Sequence, residues 1–296
     1  MKTKIILLTL LFGAFLFNVN AQDATPAPKD TSYWKLSGIT GINFSQTALV
    51  NWAAGGENSV ATNLYLNGSL NYAKDKWAWD NALALEYGVI YSDEYDWRKN
   101  SDKISFTSKL GYQINKKFYY SLLTDYNTQF AKGYNYPNVD QYLSKLMAPG
   151  YSNIALGVDY KPNDNYSVFF SPVTARFLFV LDDSLSNAGA YGIKKGDKMR
   201  LEAGALLKAS MKKTVMKNVD VISKLDAFTP YNSDFGNIDV NWEILASFKI
   251  NQVLTATLNT TLRYYDREHY IDPEKGDVGP KLQFKEMFGL GIAYRF

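Results

Sequence analysis

The sequence contains no cysteine and only one histidine among its 296 residues. Without cysteine the chain forms no disulfide bond, no thiolate metal site and no lipid anchor on an N-terminal cysteine. The chain has no large excess of positive or negative charge, because its formal net charge of +3 falls to +1 once Lys2 and Lys4 are set aside. A near-neutral chain lacks the basic footprint that nucleic acid requires, so we expect no nucleic-acid partner.

Long hydrophobic runs are also missing. The apolar stretch at the N-terminus, from Ile5 to Phe17, is shorter than the roughly 20 residues that a helix needs to cross a bilayer. It follows two lysines and precedes small residues ending at Ala21, which predicts a secretory signal peptide over residues 1–21. The polar, proline-broken residues 22–32 are predicted to be a flexible periplasmic leader. The remaining residues, 33–296, are left to form the folded domain.

What the sequence does have is tyrosine, 22 residues of it, and a period of two in its apolar residues. In Ser59–Lys74, for example, leucines and asparagines alternate, so one face of the predicted strand is apolar and the other polar. Pro172 predicts a bulge or a kink in its segment because proline lacks a backbone donor. Twelve such strands are predicted, at Tyr33–Gln46, Ser59–Lys74, Trp77–Ser92, Lys103–Ile114, Phe118–Phe130, Ser152–Lys161, Tyr166–Leu181, Lys198–Met211, Val219–Thr229, Asn237–Lys249, Val253–Tyr265 and Leu282–Phe296.

The connections between these segments alternate in length. Five are short, at residues 74–76, 115–117, 162–165, 213–218 and 251–252. Six are long, at residues 47–58, 93–102, 131–151, 182–197, 230–236 and 266–281. This alternation predicts an all-β fold, a transmembrane antiparallel up-and-down β-barrel of about 12 strands with short periplasmic turns and longer extracellular loops. A soluble lipocalin-like barrel or sandwich is the alternative, but its strands are usually shorter and lack aromatic residues clustered at their ends.

The C-terminal strand carries a separate signal. Its apolar residues alternate up to Tyr294 and the terminal Phe296, which resembles the strand by which outer-membrane proteins are passed to the barrel-assembly machinery. We therefore expect export to the outer membrane of a Gram-negative cell. Lipid, lipopolysaccharide and that assembly machinery are the expected partners.

A distinctive motif joins the first two predicted strands, NFSQTALVNWAAGGENS from Asn43 to Ser59. It resembles an uncharacterised outer-membrane β-barrel family of Bacteroidota, a domain of unknown function, and the resemblance runs over most of the mature chain. The resemblance implies a location and a fold but no activity. The loop is interpreted either as a recognition or lumen-folded element or as a tightly folded loop held by a buried tryptophan. Its residues of interest are Trp52, Gly55, Gly56, Glu57 and Asn58.

Charged residues on the polar faces of the strands are the candidates for lining the barrel lumen. They are Asp80, Glu86, Lys109, Asp125, Asp159, Arg200, Glu202, Lys208, Lys224, Asp226, Asp239, Glu243, Arg263, Lys285 and Arg295. Both signs occur in nearly equal number, so these groups either line a narrow aqueous pore or bind one another as a salt-bridge lattice. Strong ion selectivity is not expected in either arrangement.

The sequence gives little support for a catalytic site or a metal site. Hydrolytic membrane barrels need a histidine base, and His269 has only Glu268 and Asp272 nearby in a predicted loop, which more often means a solvated side chain. The acidic groups around Asp93 and Asp182 match no recognised calcium-binding spacing. We therefore expect no enzymatic activity, no catalytic residue, no cofactor and no metal.

Two functional hypotheses follow from the sequence. The first is a small porin-like channel that passes small hydrophilic or amphipathic solutes by diffusion through a charged lumen. The second is a closed structural or interaction barrel that binds a protein or glycan partner through its extracellular loops, the connection at residues 131–151 above all.

Overall fold

The computed structural model describes residues 32–49, 57–231, 236–272 and 276–296. The predicted signal peptide, all but the last residue of the predicted leader, and Trp52, Gly55 and Gly56 of the loop motif lie outside these residues. The predictions made for them stay predictions.

Twelve antiparallel strands close into a barrel, which confirms the predicted fold class. In chain order the elements are β1 (Trp34–Thr47), β2 (Ser59–Lys74), β3 (Trp77–Ser92), β4 (Asp96–Gln113), β5 (Phe118–Thr128), β6 (Gly133–Tyr134), β7 (Tyr142–Ser144), β8 (Gly150–Asn163), β9 (Tyr166–Phe179), α1 (Asp183–Ala188), β10 (Met199–Met216), β11 (Val219–Pro230), β12 (Asp239–Lys249), β13 (Leu254–Tyr264), β14 (His269–Asp272), β15 (Gly276–Pro280) and β16 (Gln283–Arg295). Around the barrel the order is β1, β16, β13, β12, β11, β10, β9, β8, β5, β4, β3, β2. Two further pairs, β6–β7 and β14–β15, are hairpins within loops.

The outer surface of the barrel is apolar, as the alternation predicts. On β5, Tyr120 and Leu122 are exposed on the outside, whereas Ser121 and Asp125 are buried on the inside. Aromatic rings meet near the short turns, as in the pair of Trp77 with Tyr112 at 5.1 Å and the pair of Phe118 with Tyr160 at 4.9 Å. An exterior of exposed leucine, phenylalanine and tryptophan is stable against lipid, and it identifies the barrel as transmembrane.

The predicted bulge at Pro172 is confirmed. The pairing of β9 with β10 shifts between Ser171 and Thr174, and its pairing with β8 shifts at the same place. As a result Ser171 and Thr174 are both buried inside the barrel, although an unbroken strand places residues three apart on opposite faces. The bulge also brings Arg176 to the interior.

One predicted loop was wrong. The connection expected at residues 93–102 is a turn of residues 93–95, because β4 begins at Asp96 and continues to pair with β3 as far as Ser92. A bulge at Asn100 of β4, between the partners of Gly88 and Val89, precedes this extension. The short connection expected at residues 213–218 is likewise only residues 217–218. In both places the two strands of the hairpin stay hydrogen-bonded beyond the residues that alternate between apolar and polar. The alternation therefore predicted strands that are too short.

The loops after β5 and β9 fold against each other at the loop end of the barrel. Helix α1 begins at the N-cap Asp182, whose carboxylate accepts the Leu185 N–H at 3.1 Å, and ends at Gly189, whose φ of 74° suits glycine. An apolar cluster holds the two loops together, formed by Ala148, Leu178, Val180, Leu185 and Ile193. We call this assembly, residues 129–149 with residues 180–198, the cap.

No helix in the described ranges is long and apolar enough to cross a membrane.

Candidate functional site: the barrel interior

An ion pair crosses the full width of the interior. The Lys103 ammonium on β4 binds the Glu243 carboxylate on β12, and these strands are six places apart in the ring of twelve. The two residues therefore belong to opposite walls. Their contact divides the lumen at that height.

Further ion pairs join strands that are not neighbours. Lys161 Nζ lies 2.6 Å from Asp80 Oδ2, linking β8 to β3, and Arg176 Nη1 lies 2.5 Å from Asp239 Oδ2, linking β9 to β12. Lys109 Nζ lies 2.6 Å from Asp159 Oδ2 and also donates to Ser167. The interior charges thus form the lattice that the sequence left as one of two possibilities.

Lys208 binds two carboxylates of this lattice. Its ammonium lies 2.9 Å from Asp125 Oδ2 and 2.8 Å from Asp226 Oδ2. Asp125 is almost completely buried, and its other oxygen accepts the backbone N–H and the amide of Asn153. Buried carboxylates of this kind are tolerated only when they are paired and hydrogen-bonded, so Lys208 holds this part of the interior closed.

Apolar packing fills the same side of the interior. Five consecutive wall strands, β5 and β8–β11, each contribute one inward side chain that is at most 2% exposed. The Arg176 guanidinium lies over the Phe228 ring at 3.6 Å from its centroid and joins the ion-pair lattice to this cluster. The members are Leu123, Ala155, Phe169, Leu206 and Phe228. We call this side of the barrel the packed half.

The opposite side contains a cavity of about 240 Å³. It lies among β1–β4, β12, β13 and β16, and amide, hydroxyl and carboxylate groups supply much of its wall. Two buried polar atoms in that wall, Asn63 Oδ1 and the Tyr65 hydroxyl, have no hydrogen-bond partner. A second, smaller space beside Lys224 and Glu243 shares Glu86 with the cavity. We call this side the hollow half.

Hydrogen bonds fix the cap above the interior. The Tyr142 hydroxyl donates to the Asp182 carboxylate at 3.0 Å, Lys145 binds the same carboxylate at 3.2 Å, and Tyr191 donates to the Leu143 carbonyl at 2.6 Å. Burial by itself would raise the pKa of Asp182, but the bonds from Leu185, Lys145 and Tyr142 outweigh it and lower that pKa. Desolvation raises the pKa of Tyr191, so its hydroxyl stays a donor.

The loop between β13 and β16 is tied to the interior at Glu268. Its carboxylate binds the Arg263 guanidinium and accepts the Tyr151 hydroxyl at 2.6 Å. Arg267 of the same loop binds Glu202 on β10 at 2.9 Å. Glu268, one of the two acidic residues near His269 in the sequence, is therefore engaged with the barrel wall.

The structure places the charged residues predicted for the lumen as follows. Glu86 accepts bonds from Ser101, Asn63 and Asn259, while Lys285 donates to Ser101 at 3.2 Å. Arg200 bonds to Glu202 and to the Gly192 carbonyl, and Arg295 lies 3.5 Å from Asp220. The others, apart from Lys224 beside the smaller space, are in the ion pairs given above: Asp80, Lys109, Asp125, Asp159, Glu202, Lys208, Asp226, Asp239, Glu243 and Arg263. A role for any of them in passage of a solute stays a prediction.

Among the interior cations that the sequence analysis missed are Lys103, Lys161 and Arg176. Lys103 and Lys109 are an even number of residues apart, so both face the lumen from the same strand. The sequence contained this information, but Lys103 is the first residue of the predicted strand. Lys161 likewise lies near the end of β8. Arg176 could not be assigned, because the bulge at Pro172 reverses the parity of everything that follows it.

The described residues of the loop motif act as ties between loops. Asn58 accepts the Leu49 N–H at 2.7 Å and donates to Asp93 at 2.7 Å, and Glu57 accepts the Glu94 N–H at 3.3 Å. The bond from Asn58 occupies the Asp93 carboxylate, which the sequence considered as a cation ligand. In the described part of the chain, no group of three or more carboxylate, histidine or cysteine side chains is arranged to hold a metal ion.

The C-terminal residues complete the barrel wall. Phe296 and Gly38 exchange two backbone hydrogen bonds, at 2.7 and 3.1 Å. The Tyr294 and Phe296 rings stack on the exterior at 6.2 Å. Recognition of these residues by an assembly factor stays a prediction.

One family model matches part of the chain, and its function is uncharacterised. The model of a family described as "Protein of unknown function (DUF3078)" matches residues 44–134, which include most of the loop motif. This supports the expected resemblance to an uncharacterised family, while the Bacteroidota source stays a prediction. No curated protein matches the chain.

Two solved structures are similar in outline. An outer membrane channel from Pseudomonas putida F1 is 12% identical, with 92% of this chain and 99% of that chain covered and a TM-score of 0.38. The translocator domain of the autotransporter NalP from Neisseria meningitidis is 9% identical, with 100% and 95% covered and a TM-score of 0.37. Similarities of this size assign no function to the present chain.

Proposed function

We propose that this protein is an outer-membrane channel of small bore, through which small hydrophilic or amphipathic solutes diffuse between ion-paired side chains. The observation that carries the proposal is the pair of Lys103 with Glu243, which joins opposite walls. A wall that carries ionised groups attracts water and polar solutes, and the bridging pair sets the size limit. Such a channel conducts little in its resting arrangement.

The apolar exterior supports the location in this proposal. Leu36, Leu156 and Phe288 are 60–67% exposed on three different strands, which water does not favour and lipid does. Closed barrels of antiparallel strands satisfy every backbone donor within the wall and so cross membranes without helices. With the predicted signal peptide, this favours the outer membrane of a Gram-negative cell.

The test is single-channel conductance of the refolded protein in a planar bilayer. For the wild type we expect a small, salt-proportional current. For Lys103→Ala/Glu243→Ala we expect a current several-fold larger, because both side chains that span the lumen are shortened. Folding of each protein is verified by the heat-dependent shift of its band on a gel.

A matched control removes an ion pair from the cap instead of the lumen. Lys198 binds Asp183, whose side chain is 90% exposed. Conductance of Lys198→Ala/Asp183→Ala should equal that of the wild type. No current from either the folded wild type or a folded Lys103→Ala/Glu243→Ala barrel would refute the channel.

The order of the cap favours a second candidate, a closed barrel that presents a rigid surface to a protein or glycan partner. Tyr142, Lys145 and Tyr191 hold two long loops in one arrangement, which lowers the entropy lost when a partner binds. Under this alternative, every folded variant is silent in the bilayer. Tyr142→Phe should then weaken binding to intact cells or to isolated surface glycan.

A further inference from the structure

The wall formed by β2, β3, β4 and β5 ends in a group of exposed lysines at the short-turn end of the barrel. They are Lys74 at the end of β2, Lys76 in the turn before β3, and Lys116 and Lys117 in the turn before β5. Asp75 is the one acidic residue of these two turns. In the described part of the chain, none of the four lysines lies within ion-pair distance of a carboxylate. We call this group the lysine arc.

The lysine arc lies directly beyond a girdle of aromatic residues on the lipid-facing surface. Trp34 packs against Tyr72 at 5.0 Å and against Trp79 at 5.7 Å, and Trp77 packs against Tyr112 at 5.1 Å. Tryptophan and tyrosine concentrate where the hydrocarbon of a bilayer meets its head groups. The ammonium groups of the lysine arc are therefore at the level of the lipid head groups.

Two of the lysines are in contact with the girdle itself. The Lys74 ammonium lies 4.7 Å from the centroid of the Tyr33 ring, and the Lys76 ammonium lies 5.9 Å from the centroid of the Tyr112 ring. A lysine in this position keeps its alkyl chain on apolar surface and its charge in the polar layer. These contacts place the two charges beside the head groups of the surrounding lipid.

Acidic residues are at the other end of the same wall. The turn between β3 and β4 contains Asp93 and Glu94, and β4 begins at Asp96. The sign of the charge in the turns therefore changes along one pair of strands, from basic at the short turns to acidic at the loop end. An anionic surface is attracted to the first end and repelled by the second.

The location of the lysine arc indicates which anion it meets. In an outer-membrane barrel the short turns face the periplasm, so the adjoining head groups belong to the inner leaflet. Lysine binds phosphate as a point charge and needs no fixed geometry, which suits mobile lipid head groups. A zwitterionic lipid offsets its phosphate with a cation of its own, whereas an anionic phospholipid does not. Charge complementarity therefore favours the anionic phospholipid.

We propose that the lysine arc binds the phosphate groups of anionic phospholipids and enriches the adjoining leaflet in them. Lys74 and Lys76 bind lipid that lies against the girdle, and Lys116 and Lys117 extend the site around the wall to β5. The proposal goes beyond the channel, because a closed barrel has the same turns and the same lysines. It requires only that the barrel spans a membrane.

The test is quenching of tryptophan fluorescence by brominated lipids around the full barrel. Trp34, Trp77 and Trp79 lie beside the lysine arc, and a reporter protein is made by replacing the other three tryptophans with phenylalanine. In phosphatidylcholine vesicles, brominated phosphatidylglycerol should bind about five-fold more tightly than brominated phosphatidylcholine, the upper range for exposed ion pairs. This preference should fall at roughly 0.5 M salt, where exposed charges are screened.

The decisive variant of the reporter protein is Lys74→Gln/Lys76→Gln/Lys116→Gln/Lys117→Gln. It should bind the two lipids equally, whereas arginine at the same four positions keeps the charge and should keep the preference. The matched control removes four lysines from the cap, at the other end of the barrel, and should keep the preference too. That control is Lys132→Gln/Lys194→Gln/Lys195→Gln/Lys198→Gln. The heat-dependent gel shift verifies that each variant is folded.

Each contrary result overturns the proposal. An equal loss of preference in the control would mean that the net charge of the whole barrel attracts the lipid. An unchanged preference in the glutamine variant, or no preference in the reporter protein, would mean that the lysine arc does not bind phospholipid. If the lysines instead bind peptidoglycan, the glutamine variant keeps the lipid preference but no longer sediments with isolated peptidoglycan. None of these results depends on whether the barrel conducts.

Discussion

The two halves of the barrel interior use the same alternating strands in opposite ways. In the packed half, inward aromatic and aliphatic side chains fill the space and ion pairs complete it, so that residues such as Phe228 and Asp125 are about 1% exposed. In the hollow half, small and polar side chains leave a cavity, and buried polar atoms remain unpaired. The first arrangement stabilises the barrel, and the second leaves open space at the expense of stability.

The cap extends the same contrast. Its apolar cluster includes Leu178 at the end of β9, so it continues the packed half beyond the strands. The seam between β1 and β16, in contrast, belongs to the hollow half, and its strands pair only from Ile39 with Arg295 to Phe44 with Leu290. The closely packed side chains and the cavity are therefore on different sides of one small barrel.

The largest expected effect is from Phe228→Ala in the packed half. Removal of a fully buried ring under the Arg176 guanidinium should lower the free energy of unfolding by about 4 kcal/mol. The comparison is Leu245→Ala beside the cavity, which should cost about 1 kcal/mol because that side chain is only half-buried. Urea titration in lipid vesicles, followed by tryptophan fluorescence, measures both. Equal losses would abolish the distinction between the halves.

Lys208→Met should cost about 3 kcal/mol, because it leaves the buried Asp125 carboxylate without its cation. The double variant Lys208→Met/Asp125→Leu should recover most of this loss, since the buried carboxylate is removed with its cation and only Asp226, whose side chain is 37% exposed, is left without Lys208. The same urea titration completes the cycle. If the double variant is as unstable as the single one, the ion pair is not what holds this region.

At the seam, Gly291→Ala should cost about 2 kcal/mol, because its Cβ would lie 1.9 Å from the Ile42 carbonyl oxygen and force β1 away from β16. Gly68→Ala is the control, as a Cβ there meets nothing within 4 Å. That variant should unfold as the wild type does. If Gly291→Ala and Gly68→Ala have the same free energy of unfolding, β1 and β16 move apart at the seam without cost, contrary to this prediction.

The smallest expected effect is a loss of stability of the cap at low pH. The pKa of Asp182 is lowered in the folded state, so its bonds stabilise the cap above the unfolded pKa of about 3.9 and are lost as pH falls through the folded value. Hydrogen-exchange protection of the Leu185 amide should drop by about 1 kcal/mol between pH 6 and pH 3. Asp182→Asn should show weaker protection that does not change with pH. Protection that is independent of pH in the wild type would contradict this assignment.

The sequence predicted the barrel because each strand repeats one simple pattern many times. Ser59–Lys74 and Trp77–Ser92 were predicted to the residue, since both strands alternate throughout and end at a two-residue turn. The extension of β4 to Asp96 was missed because pairing there lies beyond the apolar belt. Arg176 was missed because one bulge changes the parity of all residues that follow.

The site was less predictable for a physical reason. That Glu243 and Lys103 face inward follows from the parity of their own strands, but that they meet follows only from closure of the ring, which places β4 opposite β12. Asn63 Oδ1 and the Tyr65 hydroxyl are unpaired because no neighbouring strand places a hydrogen-bond partner beside them, and this too depends on the tertiary structure.

The sequence by itself determined the number of strands, their apolar exterior and the polar character of the interior. Local alternation suffices for these, because each residue faces lipid or lumen according to its own position in a strand. Only the tertiary structure decided which half is packed, which ion pairs span the lumen and where the seam is left unpaired. Those features arise from register and ring closure, which bring together residues far apart in the chain.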